Sequence, residues 1–90
     1  MRKLILLIES LQKFAREYGL EFSDELYGRK CIVHFELNNM NHKRHFQQYL
    51  YYDDIEKIDD INIIIDAIKN NVIDGFELKD GAADESKRIN

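Results

Sequence analysis

His34, His42, His45 and Cys31 are the side chains in this chain with the most versatile chemistry. Imidazole can ligate zinc or carry a proton, and a thiolate can ligate a metal or act as a nucleophile. His34 and His45 flank Asn38-Asn39-Met40-Asn41, a turn signal, because asparagine tolerates left-handed backbone. A hairpin that pairs Asn38 with Asn41 sets His34 opposite His45 and Val33 opposite Phe46. Two imidazoles do not complete a metal site. Glu36 shares their face but lies two residues further along, and strand alternation turns Cys31 to the other side. A helical pair of histidines flanking a glutamate is absent. These spacings favour a structural or solvated role for the histidines, and they assign no metal or cofactor.

Cys31 lacks the nearby base or positive charge that would activate a thiolate, and an inward-facing strand cysteine usually acts as a small core residue. No glycine-rich phosphate loop occurs, and neither Ser10 nor Ser23 sits in a nucleophile elbow. The expectation is a nonenzymatic protein. A small metal-binding enzyme built on the histidines remains a competing reading.

Two further clusters point to contact rather than catalysis. Tyr49 and Tyr51 alternate onto the same strand face as Ile32, His34 and His45, while Tyr52 turns toward the core. Tyrosine offers broad apolar contact with a terminal hydroxyl, which suits an interface. The same rings could stack single-stranded bases, but Lys30, Lys43 and Arg44 do not form a long basic track. The second cluster is Asp53, Asp54, Glu56, Asp59 and Asp60, which with Lys57 gives the segment a local charge of -4. Its plainest role is to favour the positive end of a helix dipole. It lacks the spacing and central glycine of an EF-hand, and adjacency alone does not make a hydrolytic carboxylate pair. Contact with a basic protein is its other reading.

The elements that must position these residues follow from periodicity. Leu4, Leu7, Leu11, Phe14 and Tyr18 recur at threes and fours, with Ile8 and Ala15 beside them, so a helix is expected at about residues 3 to 18, closed by Gly19. The period then becomes two. Cys31, Val33, Phe35 and Leu37 define one strand face, and Phe46, Leu50 and Tyr52 define the matching face of the return strand. Leu20 to Phe22 are too few to show a period and read at most as a short edge strand. Asp53 with Glu56, or Asp59-Asp60, offers a helix start. Ile58, Ile61, Ile65, Ile68 and Val72 then form a helical stripe that Asn70-Asn71 can stop. Ile73, Phe76 and Leu78 read as a short extension or edge strand.

The predicted fold class is α+β, a two-layer helix-hairpin-helix (α-β-β-α) arrangement with an antiparallel sheet and both helices on one face. Residues 1–78 form a single domain and 79–90, which lose all apolar period, read as a flexible tail. The 90-residue chain carries a net charge of -4, which argues against direct nucleic-acid binding and against an anionic membrane surface. One cysteine excludes an internal disulfide, and Glu9 ends the opening apolar run before it resembles a signal peptide, so a cytoplasmic location is expected. Together these features suggest a small acidic protein-interaction module, a regulator or inhibitor of a basic or nucleic-acid-binding protein. A second copy of the chain is a further candidate partner, and single-strand nucleic-acid binding through the tyrosines is the main alternative.

Overall fold

The computed structural model describes residues 2–38 and 43–78. In chain order the elements are α1 (Arg2–Glu17), β1 (Glu21–Tyr27), β2 (Lys30–Asn38), β3 (Lys43–Tyr51), α2 (Tyr52–Lys57) and α3 (Ile61–Phe76). The strands form an antiparallel sheet in the order β1-β2-β3, and the helices pack against it as a second layer. The α+β, two-layer expectation therefore holds, and the extra edge strand that Leu20–Phe22 suggested is present as a third strand beside the hairpin.

The helix α1 buries Leu4, Leu7, Leu11, Phe14 and Ala15 along its stripe. Gly19 ends it with φ 70°, which lets the Leu20 N–H donate to the Ala15 carbonyl at 2.8 Å. Strand β1 is a correction to the sequence expectation. It runs over seven residues, from Glu21 to Tyr27, instead of over Leu20–Phe22. Its alternation is hard to read because Asp24 occupies the core-side position between Phe22 and Leu26. The loop Gly28-Arg29 joins it to β2. Gly28 has φ 55° and Arg29 does not share the positive φ, the pattern of a type II′ hairpin turn.

The pairing of β2 with β3 is the second correction. Phe35 lies opposite Phe46 and Cys31 opposite Leu50, while His34 faces Gln47 and His45 faces Glu36. The shift from the expected Val33–Phe46 pairing is two residues, an even number, so every side chain keeps its anticipated face. The cause lies in the core. Phe22, Phe35 and Phe46 form an aromatic row across the three strands, with ring centroids 5.1 and 6.2 Å apart. Phe14 of α1 meets Phe35 edge-on at 5.9 Å, and Phe76 of α3 meets Phe46 at 6.4 Å. Moving Phe46 opposite Val33 would break that row.

The acidic segment makes a short helix of its own, α2, with Ile55 buried. Asp53 does not cap it: the N-cap position is Tyr51, which has no side-chain cap. The carbonyls at its far end are held from a distance, because Lys3 Nζ donates to the carbonyls of Glu56 at 2.9 Å and Ile58 at 2.8 Å. Asp60 caps α3 by accepting from the Asn62 N–H at 3.0 Å. The Asn70-Asn71 stop is overridden because Val72 and Phe76 continue the buried stripe beyond it. Ile73 and Phe76 are helical, not an edge strand, and α3 ends at Glu77 with φ 57°. No helix among the described residues is long and apolar enough to cross a membrane. The expected tail at 79–90, the turn tip at 39–42 and His42 lie outside the described residues.

Two substitutions test this packing by urea denaturation at constant m-value. Phe35→Ala removes the ring at the centre of the aromatic row and lowers the unfolding free energy by about 3–5 kcal/mol. Glu77→Gly relieves a left-handed conformation at an exposed helix end and raises it by about 0.5–1 kcal/mol.

Candidate functional site

The core takes its strand side chains from one side of the sheet: Phe22, Cys31, Val33, Phe35, Leu37, Phe46 and Leu50. The other side carries cross-strand rows that register assembles. Tyr27, Lys30 and Tyr51 form the first row, and Glu25, Ile32 and Tyr49 the second. Ser23, His34 and Gln47 follow, then Glu21, Glu36 and His45.

The tyrosine end of this face is its main apolar feature. Tyr27, Tyr49 and Tyr51 are 55%, 40% and 49% exposed. Lys30 Nζ sits 5.1 Å from the centroid of the Tyr49 ring, within range of a cation–π contact. Ile32, expected to join this surface, is only 8% exposed and forms the floor beneath its neighbours rather than a contact. Tyr52 packs against the core, as its alternation implied. Tyr27 joins the site because β1 runs well beyond the short Leu20–Phe22 edge strand that the sequence suggests. The Tyr27-Gly28-Arg29-Lys30 sequence, a two-residue loop with glycine first, was the signal that could have revealed it.

Toward the other end lies an open groove of about 320 Å³ lined by Glu21, Ser23, Glu25, His34, Glu36 and His45. His34 and His45 are diagonal neighbours, not directly opposite, yet their rings stack with centroids 5.2 Å apart and planes 14° apart. His34 Nδ1 is 3.0 Å from His45 Nε2, so one of the two carries the shared proton. The direction of that bond follows the tautomer of the pair. Glu25 Oε2 lies 3.4 Å from His34 Nε2. The contact to Glu25 is electrostatic, since His34 Nε2 completes no hydrogen bond. Among the described residues no group of three or more His, Cys, Asp or Glu side chains is placed to hold a metal ion.

Glu25 also links the two halves of the face. Its Oε1 accepts from the Tyr27 hydroxyl at 3.1 Å. That hydrogen bond, and then the carboxylate's charge, push the Tyr27 phenol above its ordinary value, because both favour the neutral form. Cys31 is buried on the core side, and burial, with a smaller contribution from Asp24, raises its thiol. A thiol held neutral in this way is a core residue and not an activated nucleophile.

The acidic residues are dispersed into separate local roles. Arg29 donates to Asp53 Oδ1 at 2.7 Å, and this hydrogen bond and the guanidinium charge hold the Asp53 carboxyl below its usual range. Asp60 is occupied by its cap. Asp54 and Asp59 are exposed, and Glu56 lends its backbone carbonyl to Lys3. The Arg29 contact and the Tyr52 N–H, which donates to the Arg29 carbonyl at 3.0 Å, dock α2 beside the β1–β2 turn and the tyrosines.

No family model matches the chain, and neither a curated protein nor a solved structure matches it significantly. Its functional reading therefore comes from its own geometry. Glu25→Gln keeps the shape of that side chain while removing its charge. The Tyr27 phenol should then titrate at lower pH than in the parent, read from its ring resonances by NMR; an unchanged titration would disprove the Glu25 coupling.

Proposed function

We propose that this chain is a nonenzymatic protein-interaction module that binds through the tyrosine end of its sheet face, as a regulator or inhibitor of a basic or nucleic-acid-binding protein. The observation that carries the reading is the convergence of Tyr27, Tyr49 and Tyr51, all exposed, in adjacent cross-strand rows around Lys30. Such rings contribute contact area at low entropic cost and commonly supply the dominant contacts of an interface. Helices α1 and α3 pack on the core side of the sheet, so a partner reaches the rings without displacing the chain's own core.

The acidic segment adds direction rather than affinity. Asp54 and Asp59 are the exposed carboxylates left after Asp53 and Asp60 are engaged locally, and charges of this kind mainly accelerate encounter with a basic surface. Stacking of single-stranded bases is the weaker reading, because Arg29, the cation nearest Lys30 in sequence, is already paired with Asp53.

A native pull-down with partner identification tests the proposal. Tyr49→Ala and Tyr51→Ala should each weaken recovery of a protein partner, by about 1–2 kcal/mol in affinity, and the double variant should abolish it. Unchanged recovery overturns the tyrosine face. Saturable oligonucleotide binding that the same substitutions remove replaces the protein partner with a nucleic acid, and concentration-dependent sedimentation that they reverse makes that partner a second copy.

A further inference from the structure

A second surface lies at the opposite side of the sheet, along the outer edge of β1. The meander order leaves one side of β1 without a strand neighbour among the described residues, so a row of its backbone N–H and C=O groups is unpaired. The width of the helical layer explains what this edge lacks. Two packed helices span about 20 Å, whereas three strands at their usual spacing span about 14 Å. The helix α1 packs on α3 and β1, while α3 packs on β3. The uncovered part of the helical layer is accordingly α1's outer flank, beside β1.

That flank is apolar. A groove of about 360 Å³ runs between the N-terminal half of α1 and the end of β1, lined by Leu4, Ile5, Ile8 and Leu26 with Glu9 and Asp24 at its rim. Leu26 points to the core side of the sheet yet is 58% exposed, and Ile5 is 54% exposed, because no side chain among the described residues fills the space between them. These are strand-type contacts waiting on one more strand: an open backbone edge, an apolar wall above it, and room of one strand's width.

Charge selects the occupant. Strand β1 carries Glu21, Asp24 and Glu25 and no cation, and neither Glu21 nor Asp24 has an ion-pair partner among the described residues. A second copy's β1 paired antiparallel would set Asp24 against Asp24 in the centred register, or Glu21 against Glu25 twice after a two-residue shift, and like charges directly opposed across strands are unfavourable. We infer that the β1 edge, with the groove under α1, is a docking site for an extended segment of another protein that alternates apolar and basic residues and adds as a fourth strand. Main-chain hydrogen bonds then supply affinity, and the groove and carboxylates supply specificity. This site shares Tyr27 and Glu25 of β1 with the tyrosine rows, but its groove lies on the core side of the sheet and its binding does not depend on the proposed function.

The test uses the full chain and an end-blocked peptide, Thr-Val-Lys-Arg-Thr-Val-Lys. In antiparallel register it sets valine against Leu26 and Phe22, lysine against Glu25 and Glu21, and arginine against Asp24. Titration followed by NMR should move and protect the amides of 21–27 and shift the methyl groups of Ile5, Ile8 and Leu26. A peptide with glutamate in place of its basic residues, and one N-methylated at alternate amides, should not bind. Leu26→Lys and Asp24→Lys, both at exposed positions and checked for a folded spectrum, should weaken binding about tenfold or more. Tyr49→Ala should leave it unchanged, which separates this site from the tyrosine face. No saturable shift, equal binding of the acidic peptide, binding that survives both lysine variants, or shifts confined to the tyrosine rows would each overturn the inference. So would a β1 edge already occupied by self-association, seen as concentration-dependent protection of 21–27 without peptide.

Discussion

The row of Phe22, Phe35 and Phe46 is the constraint on which the rest of the structure rests. Each ring comes from a different strand, so their contact specifies both strand pairings at once. Phe14 and Phe76 then dock α1 and α3 onto that row. Large aromatic side chains bury the most area per residue, and a core of this size draws much of its stability from few of them. A register error at any strand would remove one ring from the row and weaken both helix contacts together. Strand register and helix docking are in this sense one choice.

That choice has a consequence on the other side of the sheet. Because side chains alternate with a period of two, setting Phe35 inward commits His34 and Glu36 outward, and setting Phe46 and Leu50 inward commits His45, Tyr49 and Tyr51 outward. The polar and aromatic rows are thus assembled by the demands of the core. Their interior logic is local: Glu25 receives the Tyr27 hydroxyl with one oxygen and faces His34 with the other, tying an edge strand to the centre of the face. Arg29 and Lys3 do similar work for α2, one at its start and one at its end, using groups that lie far away in sequence.

The two surfaces differ in chemistry as well as position. The tyrosine rows present flat aromatic area around a cation, whereas the β1 edge presents unpaired backbone, aliphatic side chains and carboxylates. One suits a folded surface and the other an extended chain. A small domain with a single covered sheet face has both kinds of exposure for the same reason: its helical layer can shield one face, and a three-stranded sheet cannot close upon its own edges.

Residue order alone determined which segments are helical at α1 and α3, because their apolar stripes repeat over several turns, and which face each β2 and β3 residue presents, because alternation survives any even shift in pairing. It also offered Asp59-Asp60 as one of two helix starts and Gly19 as a helix end, where short-range hydrogen bonding decides the outcome. The full length of β1 was obscured by Asp24, a charged residue that an exposed edge tolerates on the core-side face but that interrupts the apolar alternation a reader relies on. Only tertiary structure decided the register, the extension of α3 past Asn70-Asn71, the entry of Tyr27 into the row of Lys30 and Tyr51, and the groove under α1. Each of these depends on contacts between residues distant in the chain, whose combined packing outweighs the local preferences that sequence displays.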